Sequence, residues 1–178
     1  KLSSVSYTLI TIFMILHVIG SHYTYAEVPF GFTLQDWFGA GRNMYDRLVH
    51  FSFGFLLAYP IREVFVRITK SKGFWGYYLP LDVALSFSAV YEIIEWIAAR
   101  SVDAAAGIAF LGAQGDIWDA QKDMLLAGVG ALIAMAVIFI INWKWNKHHW
   151  GEMKESFRIE KGDRPLGEDK LAEMLRER

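Results

Sequence analysis

Cysteine is absent from the 178-residue chain. That excludes disulfides, thiolate metal sites and a thiol nucleophile, and says nothing about redox compartment. A strong charge of either sign is also missing. The formal net charge is −1 and no basic stripe is suited to a phosphate backbone, so nucleic acid is not an expected partner. Neither H-E-x-x-H nor a paired E-x-x-H occurs, so no fixed metal code can be read off. Repeats and low-complexity segments are lacking as well. The first apolar stretch has no A-x-A-type cleavage site beside it and is expected to be a retained helix rather than a signal. The chain opens at Lys1 rather than Met, so a preceding N-terminal piece is expected.

What the chain has instead is apolar surface. Hydrophobic residues make up 54%, mean hydropathy is +0.24, and half of the 18 Lys and Arg fall after residue 143, apart from the long apolar runs. A soluble domain interleaves its charges; this separation is a membrane pattern. Four stretches reach the roughly 17–25 residues that a bilayer crossing needs: Leu2–Ile19, Leu48–Val66, Tyr77–Ala98 and Met124–Trp143. The expected fold is all-α, a polytopic membrane helix bundle of about four spanning helices. The bundle occupies residues 1–143, with two external loops (20–47 and 99–121), and a polar basic tail follows over 144–178. The piece "AAAGIAFLG" (104–112) is too short to span and reads as a loop or half-helix at one surface. Pro60 and Pro80 predict kinks, and Trp143, Trp145 and Trp150 predict an aromatic belt closing the last span.

Basic residues orient the spans. Arg62, Arg67, Lys70 and Lys72 lie between spans 2 and 3. Lys144, Lys147, Lys154, Arg158, Lys161, Arg164, Lys170, Arg176 and Arg178 lie in the tail. With Lys1, one side collects fourteen cations, against Arg42, Arg47, Arg100 and Lys122 on the other. By the positive-inside rule the rich side, with the C-terminus, is cytoplasmic.

That topology gathers the distinctive polar residues at the external ends. Span 1 ends with His17 and His22, span 2 begins with Asp46 and His50, span 3 ends with Glu92 and Glu95, and span 4 is preceded by Asp116, Asp119 and Asp123. At about 100° per residue, Asp46 and His50 are about 40° apart, Glu92 and Glu95 about 60°, and the three aspartates share about 60°. His17 and His22 are about 140° apart, so one of them points elsewhere, and His17 is taken as the inward one.

Asp46 and Asp116 also suit helix N-termini, where a carboxylate satisfies free amides. The small residues of "LLAGVGALIAMA" suit tight helix packing. His148 and His149, beyond the last span, suit interfacial solvation. Glu92 and Glu95 resist such readings. They lie near a helix C-terminus, which disfavours negative charge, and within an apolar segment, where an acid costs roughly 2.5–3.5 kcal/mol at the centre. They need a proton, an arginine such as Arg100, or a metal.

Carboxylates and imidazole without thiolate suit a divalent cation: Mg²⁺, Mn²⁺, Zn²⁺ or Fe²⁺. The expected ligands are His50, Asp46, Asp116, Asp123 and His17, with Glu92, Glu95 and Asp119 as catalytic carboxylates. Arg42, Arg47, Arg100 and Lys122 are expected to bind substrate or, in a purely structural module, to pin the acids.

Four stretches, "HVIGSHYTYAEVPF", "RNMYDRLVHFSFGFLLAYPIRE", "FWGYYLPLDVALSFSAVYEIIEWIAA" and "GAQGDIWDAQKDMLLAGVGALIA", resemble the YjdF-like family of bacterial inner-membrane proteins over roughly residues 16–135. "DRLVHF" and "WDAQKDMLLAGVGALIA" carry a fainter likeness to VanZ-like membrane proteins. The resemblance implies a multi-pass protein of the bacterial inner membrane with further apolar sequence before residue 1, and supplies no reaction.

Three functions remain open. The first is a metal-dependent hydrolase or transferase acting on a lipid or lipid-linked substrate at the outer face. The second is a carrier or sensor of cations or protons, with Asp82, expected buried, extending a polar path inward. The third is a scaffold with ion-paired carboxylates. Membrane lipids and a second copy of the chain are the expected partners.

Overall fold

A computed structural model describes residues 1–103, 107, 113–158 and 168–177. In chain order the helices are α1 (Ser4–His22), α2 (Pro29–Phe38), α3 (Tyr45–Ile68), α4 (Trp75–Arg100), α5 (Asp119–Trp145), α6 (His149–Glu155) and α7 (Glu168–Arg176). No strand occurs among the described residues. The segment 104–112, apart from Gly107, lies outside them, as do Lys161, Arg164 and Arg178 of the basic tail.

α1, α3 and α5 are long and apolar enough to cross a membrane. The remaining expected span, α4, is 26 residues long, but Asp82, Glu92, Glu95, Pro80 and its tyrosines dilute its apolar character. It packs on both α3 and α5. The bundle is therefore three strongly apolar helices with an acid-bearing fourth against them. The region between the first two spans also holds α2, which begins with Pro29 in its first turn and ends at Gly39, whose φ of 60° is left-handed. α3 and α4 continue unbroken past Pro60 and Pro80.

Between helices in lipid, close approach replaces the hydrophobic effect as the source of cohesion. α3 and α5 meet through their smallest residues. A Cβ on Gly54 would collide with the backbone of Ala127 and Ala131, and one on Gly130 with the backbone of Phe51 and Phe55. Ala58, Ala84, Ala131, Ala134 and Met135 form the buried centre, with Ala84 bringing in α4. α1 packs on α3 through Phe13, Leu16, Leu48 and Val49. α1 and α4 both rest on α3, and their backbones stay apart from each other.

The helices alternate in direction, which gives the bundle two ends. At the basic end, Glu63 of α3 is 8% exposed. Its carboxylate accepts from the Ser3 amide at 2.8 Å, the Ser3 hydroxyl at 2.8 Å, the Ser6 hydroxyl and Arg67 Nε at 3.0 Å. A buried carboxylate thus holds the start of α1, where the helix dipole favours it. On the same end the Trp75 indole donates to the Ser156 carbonyl at 2.8 Å, docking the segment after α6. His149 is buried at 2% exposure among Tyr77, Phe139 and Trp150 rather than solvated at an interface; only His148 is exposed. Asp82 is exposed on α4, not buried.

The tight α3–α5 contact makes a graded prediction. Gly54→Ala and Gly130→Ala, which press a methyl on backbone, should each cost about 1–3 kcal/mol as overpacked sites do. Gly128→Ala meets only the movable Leu85 side chain and should be close to neutral. Thermal unfolding of the three variants in detergent checks the order.

Candidate functional site

The other end, where α1 and α4 finish and α3 and α5 begin, is built around Asn43 and two arginines. Asn43 is 1% exposed. Its side-chain amide donates to the Val28 carbonyl at 3.0 Å, its Oδ1 accepts from the Tyr45 amide at 3.0 Å, and its own backbone amide donates to Gln114 Oε1 at 2.9 Å. One residue thus fixes the approach to α2 and the start of α3 through its side chain, and the segment before α5 through its backbone. Tyr45 adds a hydrogen bond from its hydroxyl to the Leu16 carbonyl at 2.9 Å, tying in α1.

Arg47, on the first turn of α3, reaches the start of α5. It donates to Asp116 at 3.0 Å, to Asp119 at 2.7 Å, to the Asp119 carbonyl at 3.0 Å, and pairs with Asp123 Oδ2. Arg42 pairs with Asp119 and lies 3.6 Å from Asp46. Lys122 adds a 2.6 Å bond to Asp116. Asp116 lies in the turn before α5 rather than on it, and accepts from the Trp118 amide at 3.1 Å. The Lys122 ammonium and then that amide hold the Asp116 carboxyl below the ordinary carboxylate range. Its contribution to stability is therefore present above the unfolded pKa, near 3.9, and is lost as pH falls through the lower folded value.

Beside this neutralised network lies a second group with fewer cations. Ligand atoms of Asp46, His50 and Asp123 all lie within 4.8 Å of one another. His50 Nε2 is 3.6 Å from Asp46 Oδ1 and 3.5 Å from Glu92 Oε1. Asp123 Oδ1 and Glu92 Oε1 are buried and, among the described residues, have no hydrogen-bond partner. Glu95 lies three residues, about one turn, beyond Glu92 on α4. The 3.5–3.6 Å spacings are too long for good hydrogen bonds. They match the edge of a tetrahedron, roughly 3.4 Å, when each ligand sits about 2.1 Å from a shared cation.

On its other side His50 faces a cavity of about 270 Å³ lined by α1, α3 and α4. At the polar end of that cavity the Tyr25 hydroxyl is 2.8 Å from His17 Nδ1, and the His17 and Tyr91 rings meet at 6.5 Å. Burial pushes the Tyr25 phenol up, which keeps it protonated and able to donate to His17.

The expected residues sort accordingly. Asp46, His50 and Asp123, three of the five expected ligands, come together in one group, with Glu92 beside His50. Asp119 and Asp116, expected as a catalytic group and a ligand, are engaged by Arg42, Arg47 and Lys122. His17 lies across the cavity on Tyr25 and does not join the trio. Arg42, Arg47 and Lys122 face aspartates, while Arg100 is exposed at the end of α4 and forms no ion pair with Glu92 or Glu95 among the described residues. Sequence reasoning passed over Tyr25, Tyr91 and Glu63. Tyr91 was findable, since it lies four residues before Glu95 on the same helical face. Glu63 was equally findable as an acid inside an apolar span.

Residues 1–144 match the family described as "Predicted membrane protein (DUF2238)". Over 140 residues the chain is 46% identical to the inner membrane protein YjdF of Escherichia coli (strain K12), covering 78% of this chain and 66% of that protein. The chain thus spans just under two thirds of that relative's length. No solved structure matches. The likeness to VanZ-like proteins finds no support in these comparisons.

Arg47 carries the testable weight of the paired half. Arg47→Met leaves Asp123 buried without its cation and should cost about 3–5 kcal/mol. Lys122→Met, at a side chain 52% exposed, should cost no more than about 1 kcal/mol. Unfolding of both variants in detergent distinguishes them.

Proposed function

Because the chain belongs to the DUF2238 family of predicted membrane proteins, we propose that it is an inner-membrane protein holding a divalent cation at its acidic end, and that it acts there as a metal-dependent hydrolase or transferase on a lipid or lipid-linked substrate. The observation that carries this reading is the convergence of Asp46, His50 and Asp123 within 4.8 Å, with two buried carboxylate oxygens left unpartnered. One imidazole and several carboxylates suit Mn²⁺, Zn²⁺, Fe²⁺ or Mg²⁺. A cation there offsets the repulsion among acids that the two arginines leave uncompensated.

In this proposal Asp46, His50, Asp123 and Glu92 are the ligands. A cation held there would supply Lewis acidity toward an ester or phosphoryl oxygen. Glu95 takes the proton of the attacking water or alcohol and returns it to the leaving oxygen. Asp119 is a positioning residue held by both arginines. The acidic end faces outward and the C-terminus the cytoplasm, on the strength of the charge asymmetry between the two ends. Self-association remains part of the proposal, since α4 presents Phe87, Ile93, Ile94 and Ile97 unpacked.

A second reading, the ion-paired scaffold, has the Arg42 and Arg47 network in its favour and predicts that no cation binds. The carrier reading is weaker, because Asp82 is exposed and adds nothing to an interior polar path.

Elemental analysis after reconstitution with Mn²⁺ or Zn²⁺ decides between them. Near one metal per chain is expected in the wild type, with a loss of tenfold or more in affinity for His50→Gln and Glu92→Gln. Acidification should release the metal, since its ligands bind only when deprotonated. A metal-free wild type would support the scaffold, and variants that keep the metal would place the cation away from His50 and Glu92.

A further inference from the structure

The cavity beside His50 has a shape of its own. Its walls are Phe13 and Met14 of α1 and Phe87 and Ser88 of α4, and its floor is Val49 and Phe53 of α3. Since the backbones of α1 and α4 rest on α3 and stay apart from each other, this space is a cleft between them, and the exposed Met14 and Phe87 mark its lateral side. α1 and α3 are both long and apolar enough to span a membrane, so the medium beside the opening is bilayer hydrocarbon. Phe87 and Met14, 62% and 47% exposed, form the rim.

The aqueous end of the same cleft is closed. Thr24 and Tyr25 hold φ values of 53° and 54°. Two consecutive non-glycine residues in the left-handed region are costly and persist where the surroundings enforce them. This turn lays the Tyr25 ring against Gly20, where any Cβ would collide with it, and brings its hydroxyl to His17 Nδ1 at 2.8 Å. His17 and Tyr91 then bridge α1 to α4 above the apolar part. A molecule reaching His50 through this cleft comes from the side, out of the membrane, with its apolar part below and its polar part above.

We infer that the α1–α4 cleft seats one acyl chain of a membrane phospholipid, whose polar ester region lies at His50. An apolar cavity of about 150 Å³ already binds benzene, and about 270 Å³ accommodates a segment of one chain and not two. The lining agrees: apart from the Ser88 hydroxyl, apolar side chains surround the lower part, and His17, Tyr25, His50 and Tyr91 supply the remaining polar groups, as in small-molecule sites. This names the substrate class for the proposed function and rests on that reading for what reacts, but not for what binds.

The test uses the full chain in phospholipid nanodiscs containing phosphatidylethanolamine with a photoreactive diazirine in one acyl chain. Adducts are mapped by peptide mass spectrometry. Phe53, half-buried on the cleft floor, is the diagnostic position, because filling the cleft changes its access to lipid. Leu132, 56% exposed on α5, reports ordinary surrounding lipid. The expected result is labelling at Phe53 that falls at least fivefold in Ser88→Phe and in Met14→Trp, with Leu132 labelling unchanged. Met14 is a rim position, so its variant keeps the test sound if Ser88→Phe fails to fold. No adduct at Phe53, or the same labelling in the filled cleft, overturns the inference. Metal content measured on the same samples separates the two claims. Cleft labelling without metal leaves the lipid seat standing and removes the metal reading; bound metal without cleft labelling does the reverse.

Discussion

Arg47 stands 6% exposed with its guanidinium shared among Asp116, Asp119 and Asp123, and the acidic end is arranged around that sharing. Burying a carboxylate among apolar helices costs several kcal/mol unless a cation meets it in good geometry. A planar group with five donors meets three acids at once in a fixed fork that an ammonium lacks. Arg47 sits on the first turn of α3 and its acids on or just before the first turn of α5, so the pairing also sets the register of those two helices. The Gly54 and Gly130 contacts then fix their separation. Remove the guanidinium and both the charge balance and the alignment of α3 with α5 lose their basis.

The same sharing leaves something over. Six carboxylates gather at this end, against Arg42, Arg47, Lys122 and one buried imidazole. Asp116 and Asp119 are satisfied by direct bonds. Asp123 is satisfied on one oxygen only, and Glu92 keeps a buried oxygen with no hydrogen bond. The protein thus divides its acids into a neutralised set that shapes the fold and a set around His50 that awaits charge. The second set borders the cavity between α1 and α4, so the proposed cation site and the proposed lipid seat meet at one imidazole.

Much of this was legible in the chain itself. The four apolar stretches fall within a few residues of α1, α3, α4 and α5, because length and hydrophobicity decide helices in lipid. The four-residue spacing of Asp46 and His50 correctly placed them on one face, 3.6 Å apart. Gathering the acids at one end followed from counting crossings. That Arg42 and Arg47 could pin the acids was open in the scaffold reading, but their individual partners about 70 residues away did not follow, because helical phase says which face a residue occupies and not which partner that face meets. The same limit explains Glu63, held by Ser3 and Ser6, and His149, buried against Phe139. Tyr25 depends on a left-handed turn at non-glycine residues, for which the sequence carries no signal.

The central claim is that the acids around His50 form a cation site rather than a self-sufficient ion-pair network. X-ray absorption at the metal edge of the zinc-loaded protein tests it most directly. The account predicts one imidazole nitrogen and two or three carboxylate oxygens in the first shell, at about 2.0–2.2 Å. A shell of water oxygens alone, with no imidazole scattering, would contradict it.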